Sequence, residues 1–460
     1  MKTPKALLIN PHIYDFAAYS FWASPIGLLY LGSILRENGF EIELIDCMEV
    51  KEEKRKEDGR APFIKEKITK PIALKGIKKH FRRYGISPEE LRKKLSGIDE
   101  PELILVTSIM TYWYPGTKEV VEIAREVFPK SKIIVGGIYP TLCGDLARET
   151  LKDADLIVKS NETEKFYRFV EDTCSVSLSF KPLMDDLNIL PYPCYDLYDR
   201  IAFVPLLTSL GCVFACTYCA TPYMHPRIIR RSASSVIDEV CFWHGRNVEK
   251  FVLYDDSFLY KRELYAKPLL KGLGELPFRL DIYNPNAINA AFIDEELAAL
   301  LANAGFREVR IGLESINPAV QKDTGGKVDL RGFERALTAL KKAGFTKENV
   351  HVYILAGLPF QKWEEVKEAV DYIFGLGAKP YIAEYTPIPH TPMFEQFHSY
   401  ARYPITIDAL YQNNALFPFA WEGFTEERLA FLKRYARDQG KRTVKSSETL
   451  NTRHCPLAHS

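Results

Sequence analysis

Three cysteines lie within eight residues of the 460-residue chain: Cys212, Cys216 and Cys219, in the stretch GCVFACTYC. Thiolates at this spacing can bind a compact metal centre. A structural zinc site takes four Cys or His ligands, and His225 is the nearby candidate for a fourth. A cubane iron–sulfur cluster normally takes four cysteines, one for each iron. With only three, one iron would lack a protein ligand and would be open to a small molecule.

The composition limits the class of protein. Hydrophobic residues make up 47% and the formal net charge is +1, which is typical of a soluble globular protein and shows no overall bias toward polyanions. The chain is too long for one ordinary core, so we expect two or three domains. It has no long apolar run and begins without a signal-peptide pattern, so we expect a cytoplasmic protein with no membrane partner. Nine cysteines, an odd number, argue against a disulfide framework.

Residues 1–175 alternate between strand and helix patterns. The predicted strands are KALLIN, EIELIDC, ELILVTS, KIIVGGI and ADLIVKS, with amphipathic helices between them. This order predicts a doubly wound, Rossmann-like parallel sheet, in which ligands bind at the carboxyl ends of the strands. The basic insertion at 51–95 interrupts the series. It is either a solvated face, with one helix in RYGISPEELRKKL, or a patch for an anionic partner or a cofactor phosphate.

The second half of the chain predicts a different α/β unit. Residues 176–203 are broken by prolines and predict a linker. Residues 204–395 contain six strand patterns separated by helix patterns, which predict a partial (β/α)6 barrel with its chemistry at the carboxyl strand ends. Residues 396–460 predict a small helical C-terminal cap. Its aromatic residues either shield a reactive intermediate from water or pack as an ordinary core.

The three cysteines directly follow the first barrel strand, and this arrangement resembles the radical S-adenosylmethionine (SAM) enzymes, whose signature is Cys-x3-Cys-x2-Cys. The resemblance implies a [4Fe-4S] cluster on Cys212, Cys216 and Cys219. In that family the amino and carboxylate groups of SAM chelate the fourth iron. Reductive cleavage of SAM then yields a 5′-deoxyadenosyl radical that abstracts hydrogen. On this reading, the missing fourth cysteine is the place where SAM binds.

Further segments resemble the SAM-binding positions of the family, in order along the barrel. LYDDSF matches the place that meets the methionyl amine, GLES the ribose position and YILAGLP the strand along adenine. An Asp of LYDDSF could instead cap the next helix, and the Glu of GLES could be a surface acid. The residues implied for SAM binding are Tyr218, Asp255, Asp256, Ser257, Asn286, Glu314, Ser315 and Gly357.

The N-terminal half resembles the cobalamin-binding radical SAM enzymes, notably in SPIGLLYLGSILRENGF and VTSIMTYWYPG. The resemblance implies a cobalamin site of glycines that let the nucleotide tail approach, hydroxyls that bond corrin amides, and aromatics that cover a corrin face. The aromatics could instead pack a domain interface. The implied residues are Thr107, Ser108, Thr111, Tyr112, Trp113, Tyr114, Gly136, Gly137 and Thr141. An Asp-x-His-x-x-Gly motif is absent and the context of His12 does not match it, so we expect no histidine on cobalt.

Taken together, the resemblance implies a cobalamin-dependent radical SAM enzyme that methylates an unactivated carbon through methylcobalamin. The alternative is another radical SAM reaction, such as a rearrangement, ring contraction or RNA modification, with an N-terminal domain that either binds cobalamin without methylating or does not bind cobalamin. A non-enzymatic cobalamin or iron–sulfur sensor is a third class, which GLES and AGLP argue against. We expect a small-molecule or peptide substrate, an electron donor such as flavodoxin or ferredoxin, and no nucleic-acid partner.

Overall fold

The computed structural model of the protein describes residues 3–451. Its first unit is a five-stranded parallel sheet in the order β3-β1-β6-β7-β8. The elements in chain order are β1 (Lys5–Asn10), β2 (Ile13–Asp15), α1 (Ile26–Glu37), β3 (Glu41–Asp46), β4 (Lys65–Lys67), β5 (Arg82–Tyr84), α2 (Pro88–Leu95), β6 (Leu103–Ser108), α3 (Tyr114–Val127), β7 (Lys132–Gly137), α4 (Ile138–Leu142), α5 (Gly144–Thr150), β8 (Leu156–Ile157) and α6 (Thr163–Cys174).

Alternate residues of β1 enter two separate cores, because successive side chains of a strand point to opposite faces. Ala6 and Leu8 pack with α1 and α6 on one face, whereas Leu7 and Ile9 pack with α2 and α3 on the other. The helices therefore cover both faces of the sheet. The predicted doubly wound fold is confirmed.

The basic insertion contains more structure than a solvated face requires. Strands β4 and β5 form a small antiparallel sheet with β2. The predicted helix is α2, and the side chain of Ser87 accepts a hydrogen bond from the backbone N–H of Glu90 at its start. Pro88 occupies the first turn, where a missing N–H carries no penalty.

Residues 176–203 contain little regular structure but are packed against the rest of the protein. Leu187, Cys194 and Tyr195 are buried in the main core. The hydroxyl of Tyr198 donates to Asp46 at 2.7 Å, and the hydroxyl of Ser33 donates to the carbonyl of Tyr192 at 2.7 Å. The segment is therefore packed into the fold and is not a flexible linker.

The second unit is the predicted partial barrel. Its elements are β9 (Val204–Leu206), β10 (Ser209–Leu210), α7 (Thr221–Met224), β11 (Ile229–Arg230), α8 (Ala233–His244), β12 (Lys250–Leu253), α9 (Ala266–Gly274), β13 (Asp281–Tyr283), β14 (Ile288–Asn289), α10 (Glu295–Asn303), β15 (Val309–Glu314), α11 (Pro318–Asp323), α12 (Leu330–Lys342), β16 (Val350–Ala356), α13 (Trp363–Gly375) and β17 (Lys379–Glu384). Strands β9, β12 and β13 form one parallel sheet and β14 to β17 another. A parallel bridge between Ile282 and Phe306 joins them, so the six predicted strands follow one another around the barrel.

The N-terminal unit reaches into the barrel through Phe21, which lies between β2 and α1. Phe21 is fully buried and packs edge-on against Phe203, with Val252 and Tyr283 in the same cluster. The hydroxyl of Tyr254 donates to the Phe21 carbonyl. The open side of the partial barrel is therefore filled from the N-terminal unit at this point.

The C-terminal region contains two helices, α14 (Pro392–Phe397) and α15 (Glu426–Asn451). The predicted helix in TEERLAFLKRYARDQGK is part of α15. The last nine residues of the predicted cap, 452–460, lie outside the described residues. Within residues 3–451, no helix combines the length and apolar character needed to cross a bilayer.

Candidate active site

The cysteine loop lies between β10 and β11, which pair antiparallel through Ser209–Arg230 and Leu210–Ile229. Gly211 has φ +83°, and a Cβ there would lie 2.4 Å from the carbonyl oxygen of Arg227, so the turn into Cys212 requires glycine. The backbone N–H of Cys219 donates to the carbonyl of Cys216 at 3.0 Å, which folds the last four residues of the motif into a turn. The loop thus presents its thiols from one compact stretch.

The thiols differ in burial. Cys216 is buried, whereas Cys212 and Cys219 are partly exposed. Burial raises the pKa of the Cys216 thiol to about 11 and raises that of Cys212. Metal binding at these cysteines must therefore release protons, as it does at thiolate sites in general. No three His, Cys, Asp or Glu side chains within residues 3–451 gather closely enough to hold a single metal ion.

Asp256 holds both ends of the cysteine loop. Its Oδ2 accepts from the backbone N–H of Gly211 at 3.2 Å, and its Oδ1 accepts from the hydroxyl of Thr221 at 3.3 Å. Thr221 in turn accepts from the Cys219 thiol at 3.3 Å. Burial raises the pKa of Asp256, and nearby His225 opposes this shift. The structure thus places Asp256 behind the cysteines, where it can orient them.

Asp255 has a different environment. Its Oδ1 accepts from the hydroxyls of Thr208 at 2.6 Å and Ser209 at 2.5 Å, and the residue is almost fully buried. Both oxygens face the end of β9 rather than open space. In this structure the Asp255 carboxylate joins the segment after β12 to the end of β9, and its binding of SAM stays a prediction. The structure also gives no support to a helix-capping role, because α9 begins only at Ala266.

Ser257 lies beside the first cysteine. It is buried, its hydroxyl interacts with the Cys212 thiol, and its carbonyl accepts from Arg230 Nη2 at 2.8 Å. Arg230 belongs to β11, the strand that follows the cysteine loop and pairs with β10. Ser257 therefore joins the strand-end segment LYDDSF to the cysteine loop.

Glu314 ends β15 in an unusual backbone conformation. Its φ is +66°, and the pairing of β15 with β16 shifts register between Gly312 and Glu314. A Cβ at Gly312 would lie 2.7 Å from Glu314 Oε1, so the carboxylate folds back over a position that only glycine leaves open. Positive φ at a non-glycine residue is strained and occurs often at functional sites.

Lys327 connects Glu314 to the cysteine loop. Its ammonium lies 3.1 Å from Glu314 Oε1 and donates to the hydroxyl of Tyr218 at 2.8 Å. Burial disfavours the ammonium, but Glu314 and Tyr218 outweigh it and hold the pKa of Lys327 well above its usual value. Two residues away, Gly325 has φ +122°, and a Cβ there would lie 2.9 Å from Cys216 Sγ. Tyr218, Glu314 and Cys216 thus surround one cationic loop.

Sequence reasoning missed Lys327 and Gly325. The signal available was the stretch TGGK, whose two glycines follow α11 at the carboxyl end of the barrel. Adjacent glycines indicate a tight backbone path, but nothing local indicates that the next lysine turns toward Glu314.

The other residues implied for SAM binding make local contacts. Asn286 Nδ2 donates to the carbonyl of Tyr254 at 3.2 Å, and Ser315 Oγ accepts from the N–H of Asn317 at 3.1 Å. Gly357 has φ +87°, and a Cβ there would lie 2.4 Å from the ring of Phe417. These residues lie at the ends of consecutive strands; in this structure the side chains of Asn286 and Ser315 bond to the backbone, and Gly357 makes room for the ring of Phe417.

The C-terminal region lies directly on the cysteine loop. The N–H of Met393 donates to the carbonyl of Thr217 at 2.9 Å. Tyr218 packs against an apolar cluster that contains Phe394, Tyr385 and Phe419. The hydroxyl of Tyr385 is buried and has no hydrogen-bond partner among the described side chains and backbone. Of the predicted C-terminal aromatics, Phe417 and Phe419 are buried near strand ends, whereas Tyr400 is 62% exposed.

The carboxyl edge of the N-terminal sheet brings five of the residues implied for cobalamin together. Register pairs Thr107 with Gly136 and Ser108 with Gly137. The Ser108 hydroxyl is buried without a hydrogen-bond partner in the described structure, and a Cβ at Gly137 would lie 2.4 Å from the Ser108 carbonyl. Thr141 Oγ1 donates to the Gly137 carbonyl at 2.7 Å. A buried hydroxyl without a hydrogen-bond partner, next to two glycines, fits a ligand that supplies its own hydrogen-bonding groups.

The aromatic run after β6 is placed differently. Tyr112 and Trp113 are buried with the insertion residues Phe63 and Tyr84. Trp113 Nε1 donates to Asp15 at 2.6 Å, and Asn413 of the C-terminal region donates to the other oxygen at 2.8 Å. This arrangement favours the alternative in which the run packs an interface between regions of the chain.

Tyr114 and Thr111 complete this segment. Tyr114 stacks on Tyr139 at 5.1 Å and donates to Asp408 at 3.0 Å, while Thr111 is buried in the short turn before it. Tyr114 therefore also contacts the C-terminal region.

The side chain of His12 is not exposed to solvent. Its side chain is fully buried, and Nε2 lies 2.7 Å from Glu119 Oε2 on α3. The hydroxyl of Tyr14 donates to the same oxygen at 2.5 Å. This position supports the prediction that no histidine of this segment reaches cobalt.

Comparison with known proteins agrees with this geometry. The sequence profile of the Radical SAM superfamily matches residues 206–373. The chain is 26% identical over 289 residues to a bacteriochlorophyllide d C-12(1)-methyltransferase of Chlorobaculum tepidum, a match that covers 59% of this chain and 61% of that protein. The chain therefore matches less than two thirds of the length of this relative. An uncharacterized methyltransferase of Pyrococcus horikoshii is 22% identical, over 95% of this chain and 90% of its own.

Solved structures share the two-unit architecture. The radical SAM methyltransferase TsrM from Kitasatospora setae, with tryptophan and a SAM analogue bound, superposes with a TM-score of 0.65 at 19% identity, over 86% of this chain and 76% of that one. The same protein with cobalamin and a [4Fe-4S] cluster superposes with a TM-score of 0.64 at 18% identity, over 86% and 78%. Residues 206–373 therefore match the radical SAM domain, and the chain shares the two-unit α/β fold of the TsrM structures.

Proposed function

We propose that this chain is a cobalamin-dependent radical SAM methyltransferase. The observation that carries the proposal is the contact of the cysteine loop with Glu314 and Lys327 at the carboxyl end of the partial barrel. A loop with three thiols, beside the ammonium of Lys327, fits a [4Fe-4S] cluster in which one iron has no protein ligand. When bound, the cluster would supply the electron that cleaves SAM, and cobalamin would carry the methyl group.

The residues of the chain suggest how SAM is held. The ammonium of Lys327 can bind the carboxylate of SAM. Glu314 can accept hydrogen bonds from the ribose hydroxyls, and the ring of Tyr218 can pack against adenine. Asn286, Ser315 and Gly357 support the strand ends beneath. We assign Asp256 and Ser257 to holding the cysteines rather than to direct contact with SAM, because their polar atoms already face the cysteine loop.

For cobalamin, the support is the carboxyl edge of the N-terminal sheet. Ser108 offers a buried hydroxyl without a partner among the described residues, Gly137 lets the Ser108 backbone approach closely, and a Cβ at Gly136 would have only the Val158 carbonyl oxygen within 4 Å. Thr107 and Thr141 lie beside them. We expect Tyr112, Trp113 and Tyr114 to contact cobalamin only at the edge of its site. Their side chains pack against the insertion and the C-terminal region. No histidine would bind cobalt.

The relatives support methyl transfer as the outcome. Two matched proteins are named methyltransferases, and the TsrM structures contain cobalamin, a [4Fe-4S] cluster and a SAM analogue. An electron donor such as flavodoxin or ferredoxin is required, and we propose a small-molecule or peptide substrate. A soluble, cytoplasmic site of action is part of this proposal.

The test is anaerobic reconstitution of the full chain with iron, sulfide and hydroxocobalamin, followed by gel filtration. We expect about one cobalamin per chain and release of 5′-deoxyadenosine or S-adenosylhomocysteine from SAM. Cys216→Ala should lose iron and SAM cleavage, whereas Cys241→Ala, at an exposed single cysteine, should lose neither. Ser108→Val should weaken cobalamin retention and leave the iron content unchanged. Iron–sulfur protein that elutes without cobalamin would overturn the N-terminal assignment.

A further inference from the structure

Residues 65–83 form a basic arm on the N-terminal unit. The arm holds six lysines and two arginines against one glutamate, in a chain whose formal net charge is +1. The glutamate, Glu66, is paired with Arg83 at 2.6 Å. None of the six lysines forms an ion pair with a carboxylate elsewhere in residues 3–451. The arm is therefore a concentrated, uncompensated positive surface.

The arm is held firmly in place at its base. Strands β4 and β5 pair antiparallel, from Lys65 with Tyr84 to Lys67 with Arg82. Leu74 and Phe81 are buried against Leu410 and Leu416 of the C-terminal region. Because both ends of the arm are attached to the folded protein, the loop between them holds Lys75 and Lys78 at the surface.

The tip of the arm carries an exposed apolar residue. Ile72 is 92% exposed, and it follows Pro71 in a short 3-10 turn. Lys75 and Lys78, both exposed, follow it within the same loop. A single exposed apolar residue is ordinary on a protein surface. An isoleucine at the tip of a lysine-rich loop, however, matches the pattern of segments that enter the boundary between lipid headgroups and acyl chains.

We propose that the basic arm binds the anionic surface of a lipid bilayer, with Ile72 entering the headgroup region. Clusters of four to eight basic residues bind anionic leaflets through their summed charge, which suits flexible lysines. Nucleic acids are instead bound by bidentate arginine contacts and by bases that stack on exposed aromatic rings. Here Arg83 is occupied by Glu66 and Phe81 is buried. Specific protein interfaces are depleted in lysine, which argues against an acidic protein as the partner.

The arm lies on the same side of the molecule as the active-site end of the barrel. Burial lowers the pKa of Lys79, and Glu384, the last residue of β17, acts on it in the opposite direction. A bilayer bound to the arm would therefore lie near the carboxyl ends of the barrel strands. The proposal departs from the expectation of no membrane partner, which rested on the lack of a long apolar run. It does not depend on the proposed methyl transfer.

The experiment is co-sedimentation of the full chain with vesicles of phosphatidylcholine, with and without phosphatidylglycerol, at low and high salt. We expect binding only to the anionic vesicles and loss of binding at high salt. Lys75→Gln/Lys78→Gln should weaken binding roughly thirtyfold, since each lysine near an anionic surface contributes about fivefold. Ile72→Ser should weaken binding further at low salt.

The matched control is Lys130→Gln/Lys152→Gln, which removes two exposed lysines from the segments before β7 and β8 of the five-stranded sheet. A second control, Leu264→Ser, removes an apolar side chain that is 69% exposed on the barrel. Both should bind vesicles like the unaltered chain. Equal loss in the control and arm variants would overturn the proposal, and so would failure of the unaltered chain to bind anionic vesicles. Polyuridylate that displaces the chain from vesicles at low concentration would also overturn it and indicate nucleic acid instead.

Discussion

The ammonium of Lys327 lies 3.1 Å from Glu314 Oε1, on a loop that also touches Cys216. Replacing Lys327 with methionine removes a cation that we assign to the carboxylate of SAM and leaves Glu314 without its partner. Charge-assisted hydrogen bonds contribute about 1.5–3 kcal/mol, so the Kd for SAM should rise roughly tenfold to a hundredfold. Equilibrium binding of SAM to the reconstituted protein measures this change.

Lys327→Arg keeps the charge and should retain part of the affinity. Lys322→Gln is the control, because Lys322 is exposed on α11. A Lys327→Met protein that binds SAM normally would contradict the assigned role.

Gly325→Ala should impair assembly of the cluster. The added Cβ would lie 2.9 Å from Cys216 Sγ and 3.0 Å from its Cα, and φ +122° is unfavourable for alanine. We expect less iron and sulfide per chain after reconstitution. Gly326→Ala is a close control, because its φ is +58° and no atom lies within 4 Å of the added Cβ. Similar iron contents in the two variants would show that Cys216 tolerates the displacement.

Asp256→Asn should disturb the cluster more than it disturbs SAM binding. The asparagine amide can still accept one hydrogen bond, but it cannot accept from both Gly211 and Thr221 with a carboxylate's strength. We expect a lower iron content and an altered electron paramagnetic resonance signal of the reduced cluster. The Kd for SAM should stay within a few fold in the molecules that hold a cluster. Asp238→Asn, at an exposed position on α8, provides the control.

His12→Gln should leave the visible spectrum of bound cobalamin unchanged. The histidine is fully buried against Glu119, so it is not available to cobalt. The spectrum should be that of cobalamin without an imidazole in both proteins. A signal from an imidazole nitrogen on cobalt that disappears in the variant would contradict this prediction.

Glu119→Gln tests how pH affects this buried cluster. Burial raises the pKa of Glu119, but hydrogen bonds from His12 and Tyr14 outweigh it and bring the pKa below its ordinary value of 4.5. A pKa that is lower in the folded state stabilises the fold fully above 4.5, and this stabilisation is lost as the pH falls through the folded-state pKa. The variant should therefore be less stable at pH 7 by about 1 kcal/mol, after allowance for partial exposure.

The difference between the Glu119→Gln and unaltered proteins should shrink only as the pH falls below 4.5 and through the lowered folded-state pKa of Glu119, where the carboxyl becomes neutral like the glutamine. Urea unfolding at several pH values measures it. A difference that stays constant with pH would show that the contribution of Glu119 does not depend on its charge.

Much of the fold follows from local patterns in the sequence. Apolar runs such as LLI in β1 and VYILA in β16 must be buried on both sides, and period-four apolar spacing places the helices between them. The cysteine spacing, the double glycine that ends β7 and the Ser87-Pro88 helix start are likewise short-range features. Each depends on residues close together in the chain, so each can be predicted before the tertiary structure is known.

The tertiary structure decided which side chains meet. Tyr218 and Lys327 are 109 residues apart, and Asp15 and Asn413 are 398 apart, yet each pair shares a hydrogen bond. Periodicity carries no information about such pairs, because they depend on how loops from different strands pack at one edge. The same packing set the Asp255 carboxylate against Thr208 and enclosed His12 beside Glu119. The sequence by itself determined the elements and the metal-binding pattern of the cysteines, and long-range packing determined the neighbours that complete the site.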